Sequence, residues 1–407
     1  MYARSTSLGS SDPLASVDLV RLGARSGLLW RSPDVVLAGL GATHRLDVDL
    51  SAEVGEAQNR LSDLRGEDQV DLPGTGPVGF AALNFDATVS GYAIVPELVL
   101  GESEGVRFIT ALTTDAASTA VDVVNGVLRR PLLEQPEMVQ LELDRTAESF
   151  RDEVVTVARD RIAESDLEKA VLARALSLTA SSEFEPARIL DRLADRFRSA
   201  LLFSIDGFLG ASPELLVSRR DRTVRAHPLA GTASRLADTD ADAAAVAELL
   251  ASSKDRVEHG ITIEWLLAEL LEFSSYVDAE PEPSVVTLEN VHHLGTRVEG
   301  VLSEPPASVL ELVQALHPTP ALGGRPQAEA LALIDEIEGF DRLRYGGPSG
   351  WFDGDGNGQF AVSVRTAQVN GRTARIAAGG GVVAQSDPES ELRETQAKFR
   401  AMLGSFF

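Results

Sequence analysis

Glu391, Glu394 and Lys398 are spaced i, i+3, i+7, so any helix that carries them shows all three on one face. Two carboxylates three residues apart can share a hard divalent cation. The same face could equally be a solvated surface with ordinary ion pairs. Just upstream, Gly379-Gly380-Gly381 offers a backbone that an anion can approach closely, beside the start of that helix. Arg365 follows the apolar alternation of Phe360, Val362 and Val364 and is expected mid-strand. Lys169 opens the apolar run Ala170-Val171-Leu172-Ala173; it is either a snorkelling strand-end residue or an amine buried for chemistry. Glu214, after Ser212-Pro213, is wedged between apolar stretches. It is either solvated at a turn or desolvated, with the raised pKa a general acid needs.

The elements that must position these groups read as follows. Asn370-Gly371 is a hairpin turn, and the returning strand from Arg372 to Ala378 ends in the glycine run. Asp387 is the expected N-cap and Pro388 the first residue of the final helix. Phe150, Val154, Ala158 and Ile162 recur every four residues and predict an amphipathic helix. A strand from Glu168 to Leu178 follows, then a helix from Glu183 to Phe197 and a strand from Ala200 to Gly210. Thr223 to Leu229 reads as a strand, Asp240 to Phe273 as one long helical tract, and Val291 to Val298 as a strand. One of His292 and His293 on that strand should point inward. Helices are expected at Ser308 to Leu316 and Gln327 to Ile337, joined by a rigid loop containing Ala321. The N-terminal part, residues 1–145, reads as β-rich with few helices: residues 1–16 frayed, Glu56 to Leu64 a short helix and residues 130–145 a connector. Residues 146–407 hold every candidate for chemistry. Asp353-Gly354-Asp355-Gly356-Asn357-Gly358 copies the first half of a calcium loop, but position twelve is Val364 and strands flank it, so a hairpin turn is expected.

The whole chain excludes several classes. Its 407 residues suffice for a large core, and the net charge of -25 opposes a duplex nucleic acid or an anionic membrane surface. An anionic substrate must therefore be held by local Arg, Lys, backbone N–H or a metal. There is no cysteine, which removes thiolate nucleophiles and zinc-thiolate sites and fits a reducing cytoplasm. No apolar run is long enough to span a membrane, and the first residues lack a signal-peptide core.

In order, Lys169, Ser212-Pro213-Glu214, Gly231-Thr232, Lys254-Asp255-Arg256-Val257-Glu258-His259, His293-Leu294-Gly295-Thr296, Tyr345-Gly346-Gly347-Pro348, Arg365, Gly379-Gly380-Gly381 and Glu391-Leu392-Arg393-Glu394 resemble the ordered motifs of the chorismate-utilising enzymes. The likeness runs from about Thr146 to the C-terminus. It implies an α+β fold, with large antiparallel sheets sandwiched and helices packed outside. It implies Mg²⁺ held by Glu258, Glu391 and Glu394. Arg365 and Tyr345, with the Gly379–Gly381 backbone, match the positions that hold the enolpyruvyl carboxylate of chorismate. Thr232, His293 and Lys398 match further substrate-side positions. Lys169 is then the candidate base and Glu214 the candidate acid for adding water at C2 while hydroxide leaves C4. The loop Pro318-Thr319-Pro320-Ala321-Leu322-Gly323-Gly324 is similar to the isochorismate-forming branch. Ammonia-using members carry threonine where this chain has Ala321, as do the salicylate synthases. The resemblance thus implies a monomer acting on a small molecule, without a glutaminase partner.

Overall fold

Among the described residues, two large sheets, of thirteen and nine strands, and a three-stranded sheet form the framework of this computed structural model. The structure describes residues 2–52, 54–289 and 291–407, with all their side chains except those of Lys254 and Glu258. The two large sheets face each other across a core. Trp30 and Phe203 come from the first, and Phe80 and Trp351 from the second. Trp30 also donates from Nε1 to Gln359 Oε1 across the gap at 2.9 Å. Helices cover the outer faces. Leu190, Leu193, Phe399 and Met402 pack on Leu176 and Ile376 of the first sheet. Leu310, Leu312 and Val313 pack with Phe352 and Phe360 of the second. This is the expected α+β sandwich. Both large sheets draw strands from either side of residue 145.

The site hangs on one strand pair. Lys169–Ala180 runs antiparallel to Thr373–Val382, with Val171 opposite Gly381, Leu172 opposite Gly380 and Ala173 opposite Gly379. The glycine run thus belongs to the strand, which ends one residue later at Val382, and it is paired on one side only, because the ladder to Thr366–Asn370 stops at Ile376. Gly324–Arg325 adds to the other edge, with Ala170 opposite Gly324. A side chain at Gly324 could not exist there: its Cβ would lie 2.2 Å from the Lys169 carbonyl oxygen, at φ +145. The final helix, Pro388–Leu403, is capped by Asp387, whose carboxylate accepts from the Ser390 N–H at 3.0 Å.

Several expectations are corrected. Residues 1–16 contain a strand, Arg4–Ser7, held antiparallel to Val106–Ala111. Its polar residues pair rather than fray: Ser5 Oγ meets Thr110 Oγ1 at 2.8 Å. Among its described residues the N-terminal part has three helices, Leu19–Ser26, Gly55–Ser62 and Thr114–Arg129. The connector carries Val139–Leu143, an edge strand on Lys169–Ala180. Residues 200–210 form a hairpin, because Asp206 and Gly207 adopt φ 53 and 73, the mirror-image turn suited to strand twist. The run from Thr223 divides into Thr223–His227 and Leu229–Ser234, in different sheets, since Pro228 has no N–H to continue a ladder. Val291–Gly295 and Val298–Leu302 likewise part into different sheets. The long helical tract breaks at Ser252, whose extended backbone lets its hydroxyl cap the helix Ser253–Leu271. The four-residue repeat from Phe150 outruns a 3.6-residue helix, and a widened π turn at Phe150–Val155 takes up part of the drift. Arg365 is not mid-strand. It occupies a break between Gly358–Val362 and Thr366–Asn370, at φ 53. The turn after Asp353 is a hairpin turn, as expected, with Asp353 Oδ1 accepting from the Asp355 and Asn357 N–H groups at 2.9 and 3.0 Å.

Candidate active site

A cavity of ≈ 320 Å³ opens where the glycine strand, the final helix and the three-stranded sheet meet. Its lining contains Lys169, Glu214, Thr232, His293, Ala321, Tyr345, Arg365, Gly379, Gly380, Gly381, Glu391, Glu394 and Lys398. Every sequence-derived candidate whose side chain is described therefore faces one space. The side chain of Glu258 lies outside the described residues.

Glu214 follows the strand Phe208–Ser212. The Ser212 hydroxyl accepts from the Glu214 N–H at 3.2 Å and donates to the Val362 carbonyl at 2.6 Å, fixing the turn. Burial pushes the Glu214 carboxyl up to about 7, against the pull of the Leu229 N–H, Lys169 and Arg365. Lys169 is 8% exposed at the start of its strand, so the snorkelling alternative gives way to a buried amine.

At the break in the neighbouring strand, the half-buried Arg365 guanidinium is lowered by desolvation to about 10, with Tyr345 and Glu214 opposing the fall, and remains a cation at neutral pH. Arg365 Nη2 lies 3.3 Å from His293 Nε2. Arginine can only donate, so that ring nitrogen must carry the lone pair. The proton then sits on Nδ1, 3.2 Å from the Gly231 carbonyl and 3.1 Å from Thr232 Oγ1. Burial, Arg365 and Lys398 hold His293 down at about 3, consistent with a neutral ring that orients Arg365. Of the two histidines, His293 is the one that faces the cavity, while His292 is buried against Thr287 and Asp242.

Lys398 donates to the Gly379 carbonyl at 2.7 Å and pairs with Glu394 at 2.6 Å. Burial lowers the ammonium, but Glu394 and Tyr345 outweigh it and the net shift is upward. Glu391 is held by the Ser386 hydroxyl, which donates to Oε1 at 2.8 Å. Both carboxylates converge over Gly380. A Cβ there would lie 3.2 Å from Glu391 Oε2 and 3.8 Å from Glu394 Oε1. The space a side chain would fill is thus a cradle rimmed by hard oxygen donors, which suits Mg²⁺ or a similar cation. Among the described residues no third His, Asp or Glu completes a ligand set.

Sequence reasoning assigned no role to Asp255 or Ser386. Asp255 lines the cavity from the helix Ser253–Leu271 and pairs with the Ser252 hydroxyl. It lay within the quoted Lys254–His259 motif, so a signal was available. The Ser386 contact depends on a loop closing back onto the helix and has no spacing signature.

The model for chorismate binding enzymes matches residues 1–406. The chain belongs to the chorismate-binding enzymes. Among its relatives, the isochorismate synthase DhbC of Bacillus subtilis is 41% identical over 254 residues, covering 60% of this chain and 64% of that protein. The isochorismate synthase MenF of Bacillus subtilis is 31% identical across 100% of this chain and 93% of its own length. Among solved structures, MenF, the menaquinone-specific isochorismate synthase of Escherichia coli, superposes with a TM-score of 0.83 at 25% identity, covering 100% of this chain and 94% of that one. The architecture is therefore that of the chorismate-binding enzymes.

Proposed function

We propose that this protein is an isochorismate synthase, an isomerase that adds water at C2 of chorismate and expels the C4 hydroxyl, feeding menaquinone or siderophore synthesis. The observation that carries this reading is that a buried amine, Lys169, and a carboxyl raised to about 7, Glu214, face one cavity whose loop presents Ala321. Lys169 takes a proton from the attacking water, the ring electrons shift across the diene, and Glu214 gives a proton to the departing C4 hydroxide. One proton is taken and one given, so the product is an isomer. Such steps are each worth ~10²–10⁴-fold. Ala321 has no hydroxyl to hold a competing nucleophile and leaves room for water.

Arg365 and Tyr345, with the Gly379–Gly381 backbone, hold the enolpyruvyl carboxylate. Thr232, His293 and Lys398 complete the substrate side, with His293 orienting Arg365. Glu391 and Glu394 would hold Mg²⁺ together with Glu258. When bound, the ion neutralises the ring carboxylate of the substrate and relieves its repulsion by the glutamates. The protein acts as a monomer in the cytoplasm without a glutaminase. Among the described residues no helix is long and apolar enough to cross a membrane.

The test is product identification after incubating the pure protein with chorismate and Mg²⁺, with and without ammonium. Isochorismate should accumulate with little pyruvate. Salicylate plus pyruvate would indicate a salicylate synthase, and an amino product under ammonium would indicate the anthranilate or aminodeoxychorismate branch. No turnover would leave a chorismate-binding protein without catalysis.

A further inference from the structure

We propose that the buried Glu338–Arg342 pair is a positioning device that fixes the cavity wall carrying Lys169 relative to the loop carrying Ala321. The two side chains are only 2% and 3% exposed. Arg342 spans both walls. Its Nη2 donates to the Val171 carbonyl at 2.6 Å and its Nη1 to the Leu322 carbonyl at 2.8 Å. Its Nε donates to Glu338 Oε2 at 2.8 Å, and the other carboxylate oxygen accepts from the Ala173 N–H at 2.7 Å. Val171 and Leu322 both line the cavity, two residues from Lys169 and one from Ala321. The Arg342 carbonyl also accepts from the Tyr345 N–H at 2.9 Å. The ion pair therefore ties two cavity segments together, the strand of Lys169 and the loop of Ala321, while the Tyr345 turn is held by backbone that either side chain leaves intact.

The guanidinium plane lies 4.2 Å over the Phe85 ring, whose carbonyl in turn meets His317 Nε2 at 2.9 Å at the start of the same loop. Arg342 makes four hydrogen bonds from three nitrogens of a planar fork, more than the three donors of an ammonium, which all leave one atom. Stability alone does not explain the pair. Buried ion pairs are commonly replaceable by apolar residues of similar volume without loss of stability. Neither residue lines the substrate cavity, so the pair acts through Lys169 and Ala321. The inference accordingly rests on the reading of those two residues given above.

Chorismate turnover is measured for the parent, for Arg342→Lys and for the Glu338→Gln/Arg342→Met double variant, alongside thermal unfolding. Parent turnover tests the functional reading; the variant-to-parent ratio tests the positioning role. Both variants should fold, and the double variant should unfold near the parent temperature. In each, kcat should fall about 10²-fold, the cost of misplacing a reacting group by an ångström. KM for chorismate should change less than about threefold, because the carboxylate-binding residues keep their places. Parent-like kcat in either folded variant overturns the proposal. So does a failure of both to fold, since the pair would then be structural.

Discussion

Glu214 couples stability to catalysis at a single carboxyl. Exposed, it would ionise at its ordinary value of 4.5; buried, it does so at about 7. The folded state therefore keeps a proton that the unfolded chain releases. This contribution to stability is complete below 4.5 and is lost as pH rises through about 7. The span corresponds to roughly 3 kcal/mol. Glu214→Gln cannot ionise, so it should gain most of that amount relative to the parent between pH 5 and pH 8, as read by denaturant unfolding. Parallel stability curves for the two proteins would contradict this. In catalysis the same group must be protonated, so the fraction of Glu214 able to give a proton falls about tenfold per pH unit above about 7. Lys169→Ala should lose at least ~10²-fold in kcat while chorismate binding, followed by calorimetry, persists. Near-parental turnover in that variant would remove Lys169 as the base. The residue types were legible in the sequence, but whether Lys169 was buried or snorkelling was not. That depended on a loop more than 150 residues away closing beside it.

At the scale of elements, the final helix and the glycine strand act together. The helix positions Glu391 and Glu394, and the strand leaves room for them by carrying no side chain at Gly380. Gly380→Ala would put a Cβ 3.2 Å from Glu391 Oε2, the movable end of a side chain, so the strand should persist and the carboxylates should shift. The Mg²⁺ concentration for half-maximal activity should rise about tenfold or more, with little change in unfolding temperature. An unchanged Mg²⁺ response would place the cation elsewhere. The helix itself was readable from Asp387, Pro388 and its spacing. The hairpin at Asp206-Gly207 carried a plain turn signal as well, yet the surrounding apolar run reads as one strand. The breaks at Pro228, Ser252 and Arg365 were harder, because each is decided by which sheet or helix the chain joins next.

For the whole molecule, the charge of -25 sets the problem that the site must solve. A dianionic substrate enters a repulsive field, which the local cations Arg365 and Lys398 must oppose. A divalent ion that binds the folded state only should also stabilise it. At about 100 times its Kd, Mg²⁺ should add about 2.7 kcal/mol to the unfolding free energy, and Glu391→Gln should abolish most of the gain. An equal gain in parent and variant would show that the ion acts through general screening of the acidic surface. Composition, turn chemistry and the ordered motifs determined from sequence alone that this is an acidic α+β protein of the chorismate-binding family with its chemistry in the second half of the chain. Those are properties of residue type and local spacing, which each segment carries with it. Only the tertiary structure decided that Lys169 and Glu214 share one cavity, that the glycine run lies within a strand, and that Arg342 ties two walls together. Burial, pKa and hydrogen-bond reach arise between segments distant in the chain, so no single segment's sequence contains them.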